Sequence, residues 1–168
     1  MNKFSPKFVY IAAAFSMLAA CSPGGQDDMK ARKSEEVRAE AEETSSRIFE
    51  IMALAGKTTN TRAATVRCGD YDEGEEVYRV RHPWSVYNVP VPELQKAMTR
   101  LSDGLRRDGW TITKDGVDDS QAKAPQIIAE SKGAEYSVDL RLLDQTKYSN
   151  NPSLIEVTVV SACYRSKQ

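Results

Sequence analysis

Three cysteines, a single histidine and two acidic clusters are the residues of this 168-residue chain whose side chains could do chemistry. A zinc site needs four ligands, commonly Cys and His, and His82 is the only histidine available to join the cysteines. His82-Pro83-Trp84 could supply a general base, but a base needs a nucleophile and an orienting group. Ser85 lies too near along the chain to be placed by that logic, and no G-x-S-x-G is present. Pro83 points instead to a strand that bends or sits at an edge. The run from Asp70 to Glu76, and Asp115 with Asp118 and Asp119, offer oxygens of the kind that hold calcium. Neither has the EF-hand spacing, and turns select acidic residues in any case, so both read as hairpin tips. No phosphate loop, dinucleotide fingerprint or c-type haem motif occurs, and the expectation is a chain with no metal, no cofactor and no catalytic residue.

The first cysteine has a different chemistry. Lys3 and Lys7 precede an apolar run, Phe8 to Ala20, that ends in Leu18-Ala19-Ala20-Cys21. A positive start, an apolar stretch and small residues before a cleavage point make a secretory signal. The run is too short for the ~20 residues that span a bilayer. Leu18-Ala19-Ala20-Cys21 resembles the lipobox of bacterial lipoproteins. The resemblance implies that residues 1–20 are removed, that Cys21 carries a diacylglyceryl thioether, and that the protein is extracytoplasmic, anchored by lipid to a membrane. Ser22 rather than Asp after the cysteine implies the outer membrane where the host has one. With Cys21 assigned to lipid, Cys68 and Cys163 remain as an even pair in an oxidising compartment, and a single disulfide is expected.

Removal of residues 1–20 takes two lysines and no acid, so the net charge moves from −1 to −3. That balance shows no basic field for nucleic acid. About 148 residues then remain, enough for one domain with its own core.

The elements that must position these residues follow from pattern. Residues 21–28, rich in Pro, Gly and acid, read as a flexible lipidated tether. Residues 29–56 read as one long helix, charged nearly all round at first, with an apolar stripe that strengthens toward Ile48, Ile51 and Ala55. Its C-terminal half is expected to dock and its N-terminal half to stay exposed, with Gly56 as the stop. A coiled-coil dimer is a poor fit, with Thr44 and two alanines in the seam. Residues 57–168 read as an α+β domain.

Strands are expected over Thr61–Cys68, Glu75–Val86, Trp110–Lys114, Gln126–Ser131, Ala134–Leu143 and Leu154–Tyr164. Between the second and third, Pro92 to Asp108 forms a helix with the stripe Leu94, Ala97, Met98, Leu101 and Leu105, capped by Gly109. Gly104 lies near that stripe and suits close approach to the sheet. Asp115-Gly116 reads as a turn. The fold class is a two-layer sandwich: an antiparallel sheet of about five to six strands packed by one helix and preceded by the long N-terminal one.

The Leu-rich helix, the Gly109-Trp110 corner and Cys163 near the end are similar to features of small bacterial cell-envelope lipoproteins. The function expected is a non-enzymatic binding module, with a membrane partner through Cys21 and an envelope protein or polymer as the second. The alternative is a small envelope enzyme or enzyme inhibitor acting on peptidoglycan or peptides. Arg62, Arg67, Arg79, Arg81 and Arg141 could line the outer sheet face and attract an anionic envelope polymer. Arg79, Arg81, Trp84 and Tyr87 are the candidate surface-binding residues.

Overall fold

A computed structural model describes residues 29–167. The signal segment, Cys21 and the 21–28 tether lie outside the described residues. Two helices cover one face of a twisted sheet, and the other face is open. The strands, in chain order, are β1 (Ala31–Arg32), β2 (Lys57–Thr58), β3 (Ala64–Arg67), β4 (Val77–Tyr87), β5 (Thr111–Val117), β6 (Pro125–Glu130), β7 (Tyr136–Leu143), β8 (Leu154–Ser161) and β9 (Tyr164–Ser166). The helices are α1 (Ser34–Met52) and α2 (Val91–Arg107).

β5, β6, β7, β8 and β4 form an antiparallel series, with β2 and β3 on the far side of β4. β9 continues the line of β8 beside β4, and β1 continues the line of β7 beside β9, running parallel to it. The fold is therefore α+β, a two-layer sandwich. Among the described residues no helix is long and apolar enough to cross a membrane.

α1 departs from its sequence reading at both ends. It begins at Ser34 because Ala31 and Arg32 are drawn into pairing with β9, and Lys33 is extended at the helix entry. It ends at Ala53, which takes the left-handed conformation at φ 48° and returns its N–H to the Glu50 carbonyl. Gly56 lies beyond that stop and permits close packing instead, since a Cβ there would stand 2.7 Å from methyl groups of Val86 and Val89. The N-terminal half of α1 is not left in solvent. Val37 and Ala41 are as completely buried as Met52, and they share one core with α2 and the sheet. A stripe of small residues looks weak in sequence because it carries little apolar area, yet it lets a helix lie close to a sheet.

A polar clasp holds the chain where it enters the fold. Arg32 donates to both carboxylate oxygens of Glu40, at 2.9 and 2.5 Å, and lies over the Tyr164 ring. The Tyr78 hydroxyl donates to the Arg32 carbonyl, and the Tyr136 hydroxyl donates to Glu40. The hydrogen bonds from Arg32 hold Glu40 below the usual carboxylate range. Burial, and then Glu40, push the Tyr136 phenol upward.

α2 matches its expected span closely and closes as a Schellman motif. Trp110 N–H bonds to the Leu105 carbonyl and Gly109 N–H to the Arg106 carbonyl, with Gly109 at φ +83°. Gly104 serves close approach to α1 rather than to the sheet, since a Cβ there would meet the Ile51 Cγ2. Asp115-Gly116 is not a turn: both residues pair with β6, opposite Ile127 and Gln126. The turn comes later, where the Asp118 carboxylate accepts from Ser120 N–H, the Ser120 hydroxyl and Ala124 N–H.

Candidate functional site

From Tyr78 to Tyr87 β4 alternates, and that alternation sorts the candidate residues. Tyr78, Val80, His82, Trp84 and Val86 face the helices and are buried. Arg79, Arg81, Pro83, Ser85 and Tyr87 face the open side. Register carries the pattern across the sheet. Arg81 stands beside Val160 and then Ser137; Pro83 beside Thr158 and then Asp139; Ser85 beside Glu156 and then Arg141. The β8 and β7 residues of these rows, with Arg79 and Arg81 at one side and Ile128 at the other, enclose a shallow groove of about 330 Å³ on the open face.

The electrostatics of the groove are uneven. Arg141 donates to Asp139 at 2.7 and 3.3 Å, and Gln126 donates to the same carboxylate at 2.8 Å. That pair satisfies itself, and its hydrogen bond to Asp139 raises the Arg141 pKa. Arg79 and Arg81 form no hydrogen bond or ion pair with another described residue, and neither does Glu156. The groove thus presents two free guanidinium groups at one end and, at the other, the Glu156 carboxylate beside Arg141. Guanidinium groups in this state suit planar, two-point recognition of carboxylate or phosphate.

Of the residues expected to bind at the surface, Arg79, Arg81 and Tyr87 share this face and Trp84 does not. Trp84 is 7% exposed and meets Phe49 of α1 edge to face, with ring centroids 6.0 Å apart. Arg67 pairs opposite Tyr78 and so takes the parity of the helix side, while Arg62 lies in the exposed segment before β3. The tyrosines do not make one surface either. Tyr78, Tyr136 and Tyr164 are core, and Tyr148 projects from a loop remote from them.

His82 has the partners that its neighbours in sequence could not supply. The Ser45 hydroxyl lies 2.8 Å from Nδ1, and the Thr61 carbonyl lies 3.2 Å from Nε2. A carbonyl only accepts, so Nε2 carries a proton, and in the neutral imidazole Nδ1 accepts from Ser45. Ser45 is 4% exposed in the middle of α1 and His82 is 8% exposed, so the two form a satisfied polar contact between helix and sheet. Sequence reasoning missed Ser45. Its one signal was a position next to Thr44 on the buried stripe.

Cys68 and Cys163 are bonded, with Cα atoms 6.2 Å apart. They follow β3 and precede β9, the two strands that flank the start of β4. Cys21 lies outside the described residues. Among those residues no group of three or more His, Cys, Asp or Glu could hold a metal ion. In the second acidic cluster, Asp115 accepts from Ser102 and pairs with Arg106, while Asp118 is consumed by its own turn. No model of a known protein family, no curated protein and no solved structure matches this chain.

Proposed function

We propose that this chain is a lipid-anchored interaction module of the cell envelope. Its partner docks on the open face of the sheet, where Arg79 and Arg81 present their guanidinium groups to anionic or aromatic groups of that partner. The observation that carries the reading is the pair of unpartnered guanidinium groups beside a groove on an uncovered sheet face. Each hydrogen bond to a charged group contributes roughly 1.5–3 kcal/mol. Leu18-Ala19-Ala20-Cys21 supports the anchor, and the Cys68–Cys163 bond supports a compartment outside the cytoplasm. The short 21–28 tether then keeps the domain close to the membrane.

A photo-crosslinking amino acid in place of Thr158, on the groove floor, is expected to capture a partner in intact cells. The same group in place of Asp103, on the solvent side of α2, is expected to capture none. Adducts from position 103 alone would overturn the docking face. Cys21→Ala is expected to move the protein from the membrane fraction to the soluble one, because each buried methylene of the lost acyl chains contributes ~0.8 kcal/mol. Unchanged fractionation would remove the anchor from the reading.

A further inference from the structure

We infer that the partner on the open sheet face is a second copy of this chain, packed face to face about a two-fold axis. The inference rests on the docking reading above and names its occupant. Its basis is that the face carries both signs of charge at complementary positions, with Arg79 and Arg81 unpaired. Arg79 and Arg81 lie on β4 toward its start, and Glu156 lies on β8 opposite Ser85, toward the other end.

Register shows how two such faces fit. The rows run Arg81–Val160–Ser137, then Pro83–Thr158–Asp139, then Ser85–Glu156–Arg141. A two-fold axis lying across the strands along the middle row exchanges the two outer rows. Arg81 of each copy then stands opposite Ser85 of the other, one strand from Glu156, a lateral step of about 4.8 Å that an arginine side chain spans. The same axis exchanges residues 79 and 87, so Arg79 of each copy meets the Tyr87 ring of the other, a cation–π arrangement. Asp139 meets its own copy near the axis, but Arg141 already neutralises it and Gln126 donates to it. Half-buried Val160, Ile128 and Leu154 supply apolar area around these pairs.

The size of the face fits. Six strands about 4.8 Å apart, from four residues in β3 to eleven in β4 at about 3.3 Å each, give a face on the order of 700 Å². A standard interface buries ~800 Å² per partner. Two sheets packed with strands nearly aligned is also a common geometry for sheet on sheet. The interface is isologous, so it closes at two copies.

Thr158 lies on the axis, which gives a direct test in the full chain in cells. Thr158→Cys, with mild oxidation, is expected to give a covalent dimer on a non-reducing gel, with the native chain at that position giving none. Arg81→Glu added to Thr158→Cys is expected to abolish at least nine-tenths of the dimer, and so is Glu156→Arg. The two reversals together are expected to restore it, which also excludes misfolding as the cause of loss. A Thr158→Cys chain that stays monomeric, or a dimer indifferent to both reversals, overturns self-association. If the photo-crosslinker at Thr158 still captures a different molecule, the docking reading stands without it.

Discussion

Replacing Cys68 and Cys163 together by alanine is expected to lower unfolding stability by about 4 kcal/mol. The bond joins residues 95 apart in sequence, and the chain-entropy model gives about 4–5 kcal/mol for a loop of that size. Domains of this kind have roughly 5–15 kcal/mol in all, so the loss takes a large share. The structure also shows what the bond holds. β3 has four residues and β9 has three, too few for either to stay paired with β4 on hydrogen bonds alone. Among the described residues β1 pairs only with β9, so the entry clasp of Arg32, Glu40 and Tyr164 depends on the same bond. Urea titration of the double variant checks this, with a midpoint lower by about 2 M expected for a slope near 2 kcal/mol/M. An unchanged midpoint would show that the pairing of β3 and β9 needs no covalent support.

Trp84→Ala is expected to cost about 3–5 kcal/mol, whereas Arg79→Ala and Arg81→Ala stay within about 0.5 kcal/mol. The four residues grouped by sequence as one surface set thus separate into two classes by stability. Trp84 is 7% exposed, fills the space between β4 and α1, and loses its edge contact with Phe49 on truncation. That contact alone contributes about 0.5–1.5 kcal/mol beyond the buried area. The Trp84 indole N–H is buried without an acceptor among the described residues, so Trp84→Phe removes a costly group along with some volume and is expected to be much milder than Trp84→Ala. Denaturant midpoints measured side by side decide the matter. A Trp84→Ala chain as stable as the Arg81→Ala chain would return Trp84 to the surface.

Much of the fold was legible because strong periodicity needs no partner to declare itself. The α2 stripe from Leu94 to Leu105 and the alternation through β4, β7 and β8 are local patterns. β1 and β2 escaped because a two-residue strand has no period; it exists only where a neighbour offers free backbone groups. Asp115-Gly116 misled for a related reason. Its turn chemistry is real, but pairing with β6 outweighs it, and the turn moves to the stronger Asp118 cap. For Trp84 the correct signal was present: it shares parity with Tyr78, Val80 and Val86, and parity decides the face in a strand.

The expectation of a lone disulfide came from counting cysteines once Cys21 is assigned to lipid, and the bonded pair agrees with it. The Ser45–His82 contact could not be counted in that way. It joins residues 37 positions apart across a helix–sheet interface, and neither residue type is rare or paired by necessity.

By itself the sequence determined the α+β class and the two-residue alternation of β4, because each is a matter of composition or local period; it left Trp84 on the wrong face, and it gave the cysteine pairing only with Cys21 set aside for lipid. Only the tertiary structure decided that both helices cover the same side, that Arg141 is satisfied by Asp139 while Arg79 and Arg81 are not, and that Glu156 lies opposite Ser85, two rows from Arg81 on the same face. Pairing is a relation between distant residues, set by which strands become neighbours. The open face and its free charges exist only once that order is established.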